Sequence, residues 1–156
     1  MERTEILDRL QALGLELPDV PAPAGNYRPA RVAGGLVFTA GQTARVGGVR
    51  RYVGKVGQSV GDEDAYRSAR DAALNCIACA AWAAGGLERL GSVVKVTGFV
   101  NCTPDYDRQP AVVNGASDLF EKVFGEAGAH ARSAVGVSSL PSNASVEVEV
   151  VFELKP

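Results

Sequence analysis

The sequence holds one histidine, one tryptophan and one methionine, and aromatic residues make up only 6% of its 156 positions. With His130 as the sole imidazole, a Ser-His-Asp or Cys-His site would rest wholly on that ring, and no multi-histidine metal site can form. No phosphate loop occurs, because Gly54-Lys55-Val56-Gly57 lacks both the spacing and the helix entry, and neither H-E-x-x-H nor G-x-S-x-G is present. No apolar run approaches ~18 residues, so no membrane span is expected. The opening Met1-Glu2-Arg3-Thr4-Glu5 lacks the order of a secretion signal, which makes a soluble, cytoplasmic protein the expectation. Excess positive charge is missing too. Sixteen basic against 18 acidic side chains leave a net charge of −2, whereas non-specific nucleic-acid binding draws on a basic surface. The cluster of Arg45, Arg50, Arg51 and Lys55 reads as a solvated hairpin loop, so nucleic acid is not an expected partner.

Three cysteines cannot close a disulfide framework without one left over. Cys76 and Cys79 form a C-x-x-C, but the motif lies deep inside an alanine-rich helical run. A redox pair would sit at a helix N-terminus, where the dipole lowers the thiol pKa. Small apolar residues packed in a helix are the simpler reading. Only Cys102 and His130 could join them around zinc, and neither has finger-like spacing, so no metal is expected.

What is present is a globular composition, 46% apolar and 22% charged, in a chain long enough for one domain of ~150 residues. Ile6, Leu7, Leu10 and Leu13 fall on one helical stripe between Glu2 and Leu13, and Gly14 stops it. Three prolines between Pro18 and Pro23 read as an extended connector. Residues 1–20 are thus a helix and connector appended to a body over 21–156. Three strands are expected first: an edge strand over Tyr27–Val32, a buried one over Leu36–Ala40, and a third around Arg51–Val56 after the Gly47-Gly48 turn. Asp62 to Ala84 reads as a long helix, N-capped by Asp62 and closed by Gly85-Gly86.

Val93–Cys102 follows as a strand, with Val94, Val96 and Val100 sharing one face. A second helix from about Gln109 to Phe124 presents Val112, Val113, Ala116, Leu119, Phe120 and Val123. Ala131–Val137 and Ser145–Glu153 are the closing strands, and the latter alternates Val146, Val148, Val150 and Phe152 against Glu147, Glu149 and Glu153. The sum is an α+β fold: a mixed, mostly antiparallel sheet with two helices on one face, plus the N-terminal helix. Such a sheet leaves more apolar surface than two helices cover, which points to an oligomer.

Arg132, in the otherwise apolar Ala131-Arg132-Ser133-Ala134-Val135, is the residue most in need of explanation. An unpaired guanidinium in a sheet is expensive to desolvate. It is either ion-paired to a strand carboxylate such as Glu147 or Glu149, or it is an anion clamp, since its planar fork suits a carboxylate. The residues alone leave both open. His130 reads as a solvent-facing or capping histidine.

Ala131-Arg132-Ser133, then Val135, Leu140-Pro141 and Val146-Glu147-Val148-Glu149, resembles the C-terminal signature of the YjgF family, the reactive intermediate deaminases (Rid), also labelled L-PSP endoribonucleases. Gly25-Asn26-Tyr27 and Phe38-Thr39-Ala40-Gly41-Gln42 are similar to that family's tyrosine segment and T-S-G-Q turn, and Val113-Asn114 matches its helix asparagine. The resemblance spans Pro21 to Leu154. It implies a chorismate-mutase-like fold, a homotrimer with clefts between subunits, and cofactor-free hydrolysis of 2-imino acids, including 2-aminoacrylate, to 2-oxo acids and ammonia. Carried over, Arg132 would hold the substrate carboxylate and Glu147 would activate water. Tyr27 would line the cleft, Asn114 would support it, and Ala134 would contribute mainly backbone. The chain departs from the pattern at Ala40 (serine in the motif), at Ala134 (often cysteine) and at His130. Two other functions fit the same residues: a binding protein for small carboxylates that does not turn them over, and an endoribonuclease.

Overall fold

A computed structural model describes residues 1–20, 22 and 25–156, so the connector's Pro21 and Pro23 lie outside the described residues. The chain runs α1 (Arg3–Ala12), β1 (Ala30–Ala33), β2 (Leu36–Thr39), β3 (Gln42–Thr43), β4 (Arg45–Val46) and β5 (Val49–Arg50). It continues through α2 (Asp62–Ala84), β6 (Leu90–Asn101), α3 (Gln109–Phe124), β7 (Ala131–Val137) and β8 (Val146–Leu154). The main sheet has the order β1-β2-β8-β6-β7, with β3 also pairing with β8. Only β6 and β7 run parallel within it, as their crossover through α3 requires. Both long helices cover one face, giving the expected α+β architecture. Among the described residues no helix is long and apolar enough to cross a membrane.

The alternation in β8 does what it predicts: Val146, Val148, Val150 and Phe152 are fully buried under the helices. The centre of α2 is buried without a break from Asp71 to Ala81, and its alanine-rich run lets it lie close to everything around it. Close approach is built in at two glycines. A Cβ on Gly115 of α3 would come within 2.0 Å of the Tyr66 carbonyl oxygen of α2, and one on Gly98 of β6 would strike Val113 of α3. Cys76 and Cys79 are simply part of this packing, both at 0% exposure. The Cys76 thiol donates to the Val148 carbonyl at 3.3 Å, and burial pushes the Cys76 thiol up strongly and that of Cys79 to about 11.

Three local expectations are corrected. There is no third strand over Arg51–Val56. Tyr52 at φ +55°, Gly54 at +130° and Gly57 at +88° break extension, and Val53 and Val56 make only isolated bridges, one at Val53 and two at Val56. The strand that follows β2 is instead the short β3, and Arg45–Val46 and Val49–Arg50 form a separate hairpin through Gly47-Gly48, both at positive φ. In β6, Val94 is an extra residue: β8 advances one position, Phe152 to Val151, while β6 advances two, Val93 to Lys95. That bulge places Val93 with Val96 and Val100 in the core and leaves Val94 41% exposed. Lastly, Gly61 rather than Asp62 occupies the N-cap of α2. Asp62 accepts hydrogen bonds from Arg108 Nε at 2.8 Å and the Tyr106 hydroxyl at 2.9 Å, and these hold its carboxyl below the usual range.

The N-terminal helix shares the main core. Ile6 and Leu10 are at 0% and 1% exposure in the same cluster as Phe120 and Phe152, and Arg9 Nη1 donates to the Val123 carbonyl of α3 at 3.1 Å. Ile6→Ala is therefore expected to cost about 2–5 kcal/mol by removing buried methyl groups, measured by denaturant unfolding. A shift under about 0.5 kcal/mol would show that α1 is a dispensable appendage. A thiol reagent at neutral pH should label none of Cys76, Cys79 and Cys102 in the folded chain, since all three are buried, and all three after unfolding.

Candidate functional site

Between β2 and β3 the chain leaves the ladder at Ala40-Gly41. The gap is bridged by a side chain: the Val150 amide donates to Thr39 Oγ1 at 3.0 Å. Gly41 then lies against the Glu147 carboxylate so closely that a Cβ there would sit 2.0 Å from Oε1. The glycine of this turn is what makes space for the acid.

Glu147 stands on the sheet face opposite the helices and lines a cleft of about 510 Å³. Its other walls come from the Tyr27 segment, Gln42 and Thr43 of β3, Pro141-Ser142, and the hairpin residues Arg45 and Arg50. Burial, and secondarily the neighbouring charge of Glu149, raise the Glu147 carboxyl above the ordinary glutamate range. A half-buried acid of this kind exchanges its proton closer to neutrality than a surface glutamate does, as general acid–base work requires. Tyr27 is 50% exposed at the same cleft.

Arg132 lies elsewhere. It pairs in register with the buried Val96, and its guanidinium reaches to the helix side. Nη1 donates to Asn114 Oδ1 at 2.8 Å and Ser117 Oγ at 3.1 Å, and Nη2 to the Pro110 carbonyl at 3.2 Å. No ion pair to Glu147 or Glu149 exists; every partner is a neutral oxygen of α3. The positive charge thus stays uncompensated by any carboxylate among the described residues, at the open edge of β7. Ala134 follows on the same side of that strand, opposite Gly98 and packed against the core. Within one chain, then, the five residues picked from sequence form two groups: Tyr27 with Glu147, and Arg132 with Asn114 and Ala134.

His130 does not face solvent; it caps the last carbonyl of the short 3-10 turn Gly125–Gly128. It is half-buried, edge-on to Phe120, with Nδ1 2.6 Å from the Gly128 carbonyl and Nε2 2.9 Å from Ser117 Oγ. It thereby braces the serine that holds Arg132. Sequence reasoning missed Ser117, and it left the hairpin arginines in solvent. Their one available signal was the Gly47-Gly48 turn, which makes residues 45 and 50 directly opposite partners. Lys55 leaves that cluster altogether, because its ammonium donates to Asn101 Oδ1 at 2.7 Å and the Ser138 carbonyl at 2.5 Å. No group of three or more potential metal ligands occurs among the described residues.

The family model described as "YjgF/chorismate_mutase-like, putative endoribonuclease" matches residues 7–154. Protein TCP17 of Trypanosoma cruzi is 43% identical over 148 residues, covering 93% of this chain and 91% of that protein. Among solved structures, Atu1372 of Agrobacterium tumefaciens, a protein of unknown function, is 39% identical with a TM-score of 0.93, covering 98% of this chain and 94% of its own. RidA of an Antarctic Psychrobacter is 27% identical with a TM-score of 0.61, covering 86% and 94% respectively.

Gly41→Ala should leave the fold intact, because the flexible end of Glu147 can move aside, while displacing the carboxylate from its place in the cleft. Unchanged melting with a changed Glu147 titration, followed by carbon-13 NMR of the labelled side chain, is the expected outcome. Because the folded carboxyl is raised, the folded state holds its proton more tightly than the unfolded chain. Stability is therefore lost as pH rises from the unfolded value through the folded one. Melting temperatures of wild type and Glu147→Gln should accordingly diverge above that window, with the glutamine variant the more stable near pH 7.

Proposed function

Because the chain belongs to the YjgF/chorismate-mutase-like family, we propose that it hydrolyses reactive 2-imino and enamine acids of the 2-aminoacrylate type to 2-oxo acids and ammonia. The observation that carries this reading is Glu147: a half-buried carboxyl with a raised pKa, held against Gly41 on the wall of a cleft sized for a small molecule.

The reaction needs little more. After the enamine tautomerises to the imine, the carbon of the C=N bond is already electrophilic. Ionised Glu147 takes a proton from water as the oxygen bonds to that carbon, and passes this proton to the nitrogen. Glu147 then takes the hydroxyl proton of the resulting 2-amino-2-hydroxy acid and delivers it to nitrogen, the C–N bond breaks, and ammonia leaves as the C=O bond forms. Holding water and imine together supplies the remainder of the acceleration. Arg132, with donors to spare and no carboxylate partner, suits the substrate carboxylate.

Arg132 and Glu147 occupy opposite sides of one protomer's sheet, so this assignment requires two copies. The surface for it exists. The sheet face away from the helices carries Phe38 at 44% and Val135 at 43% exposure beside half-buried Phe99 and Val151, and β7 is an open edge. A homotrimer, the state implied by the family resemblance, would cover that face and bring the β7 edge of one copy to the Glu147 cleft of the next. An endoribonuclease would call for a basic groove, which a net charge of −2 and the tied-down Lys55 do not favour.

The test is ammonia release from 2-aminoacrylate generated in situ, with sedimentation on the same sample. Wild type should release ammonia faster than buffer and sediment as a trimer. Arg132→Ala should lose about 10- to 100-fold in kcat/KM, the worth of hydrogen bonds to a charged group, and Arg132→Lys should recover part of it. Unchanged turnover in folded Arg132→Ala would remove the arginine from the site, and a stable monomer would remove the shared cleft.

A further inference from the structure

The Glu147 cleft contains two cations that hydrolysis of 2-aminoacrylate does not use. Arg45 and Arg50 are directly opposite each other across the β4–β5 hairpin, and both line the cleft. Like charges in that relation repel and cost stability unless something offsets them. Nothing among the described residues does. Among them neither arginine has an acidic partner, the Arg45 side chain makes one bond, Nε to the Gly48 carbonyl at 3.1 Å, and that of Arg50 makes none.

The two guanidiniums are nevertheless carried on a fixed base. Asn75 of α2, 2% exposed, donates through Nδ2 to the carbonyls of Thr43 and Arg45, each at 3.0 Å. A buried amide spent on the root of a surface hairpin holds its direction toward the cleft. On the facing wall Ser142, at φ +57° beside Asn143 at +56°, occupies a left-handed conformation unusual for such residues. Backbone strain of this kind collects at ligand sites.

If the α-carboxylate belongs to Arg132 and proton transfer to Glu147, a second anionic group farther along the substrate would meet the hairpin. We propose that Arg45 and Arg50 form a subsite for a distal carboxylate, and that the preferred substrates are dicarboxylic 2-imino acids. This rests on the imine-hydrolysis reading and specifies its substrate class.

The corresponding 2-oxo acids are the probes. Calorimetric titration of the intact assembly should show 2-oxoglutarate binding about tenfold more tightly than 2-oxobutanoate, as one added charge-assisted contact provides. The Arg45→Gln/Arg50→Gln variant should bring that ratio to about one. Arg50→Gln alone, whose side chain holds no bond that folding could miss, should lower it part of the way. Arg67→Gln, which removes an equal charge from α2 outside the cleft, should keep the wild-type ratio. A ratio near one in wild type, with 2-aminoacrylate still hydrolysed, would overturn the distal subsite and leave the hydrolase reading standing. Equal losses for both ligands in the double variant would move the α-carboxylate onto the hairpin and overturn the assignment. Failure to bind either acid together with no ammonia release would bring down the hydrolase reading, and this inference with it.

Discussion

The closeness with which α2 lies against its surroundings is the constraint on which the other arrangements depend. Its buried face is built from alanine, with cysteine, serine and asparagine placed where a hydrogen bond can reach the sheet. Alanine surrenders no side-chain entropy on burial, so a long helix can be sunk almost completely at modest conformational cost. The same face sets the polar geometry. Ser68 bonds Ser145 at 2.9 Å, Cys76 bonds β8, and Asn75 holds the root of the hairpin. Gly115 then lets α3 come down on α2, and α3 in turn holds Arg132 through Pro110, Asn114 and Ser117. Both walls of the chemistry are thus referred to one helix.

The two sides of the sheet carry different electrostatics. Under the helices, polar groups are few and tied into the fold: Asn75 to backbone carbonyls, Ser68 to Ser145, and Thr39 to the Val150 amide. The outer face carries Glu147, Glu149 and Glu153 among Phe38, Phe99, Val135 and Val151, and burial first, with the charge of Glu149 second, keeps Glu147 reluctant to ionise. Arg132 sits at the boundary of the two, fastened by neutral oxygens that orient its fork without cancelling its charge.

Much of this was legible before any coordinates. The period of two in β8, the Gly85 stop after α2 and the apolar stripe of α3 each depend on residues close in sequence, and each is found where expected. The misses have a common physical origin. A bulged residue such as Val94 is invisible to counting, because an extra position changes the phase without changing composition. Arg51–Val56 has strand-like side chains, but its backbone is decided by left-handed positions at Tyr52 and two glycines. For Arg132 the residues left an ion pair and an anion clamp both open, because its distance from Glu147 in sequence says nothing about which side of the sheet each faces. The hairpin arginines were read as solvated since the wall that makes them part of a cleft comes from Gly25, Tyr27, Pro29, Pro141 and Ser142, far along the chain.

The β4–β5 hairpin pairs with no strand but itself, and it joins the body through the grip of Asn75. Residues in the main sheet are locked by register, where inserting one turns every following side chain to the wrong side. A ribbon outside that register is free of this penalty. It can lengthen, shorten or exchange arginine for another side chain while the core, the Glu147 turn and the Arg132 brace remain as they are. Divergence of ligand preference among related chains would therefore be concentrated in this ribbon, with chemistry and selectivity drifting at separate rates.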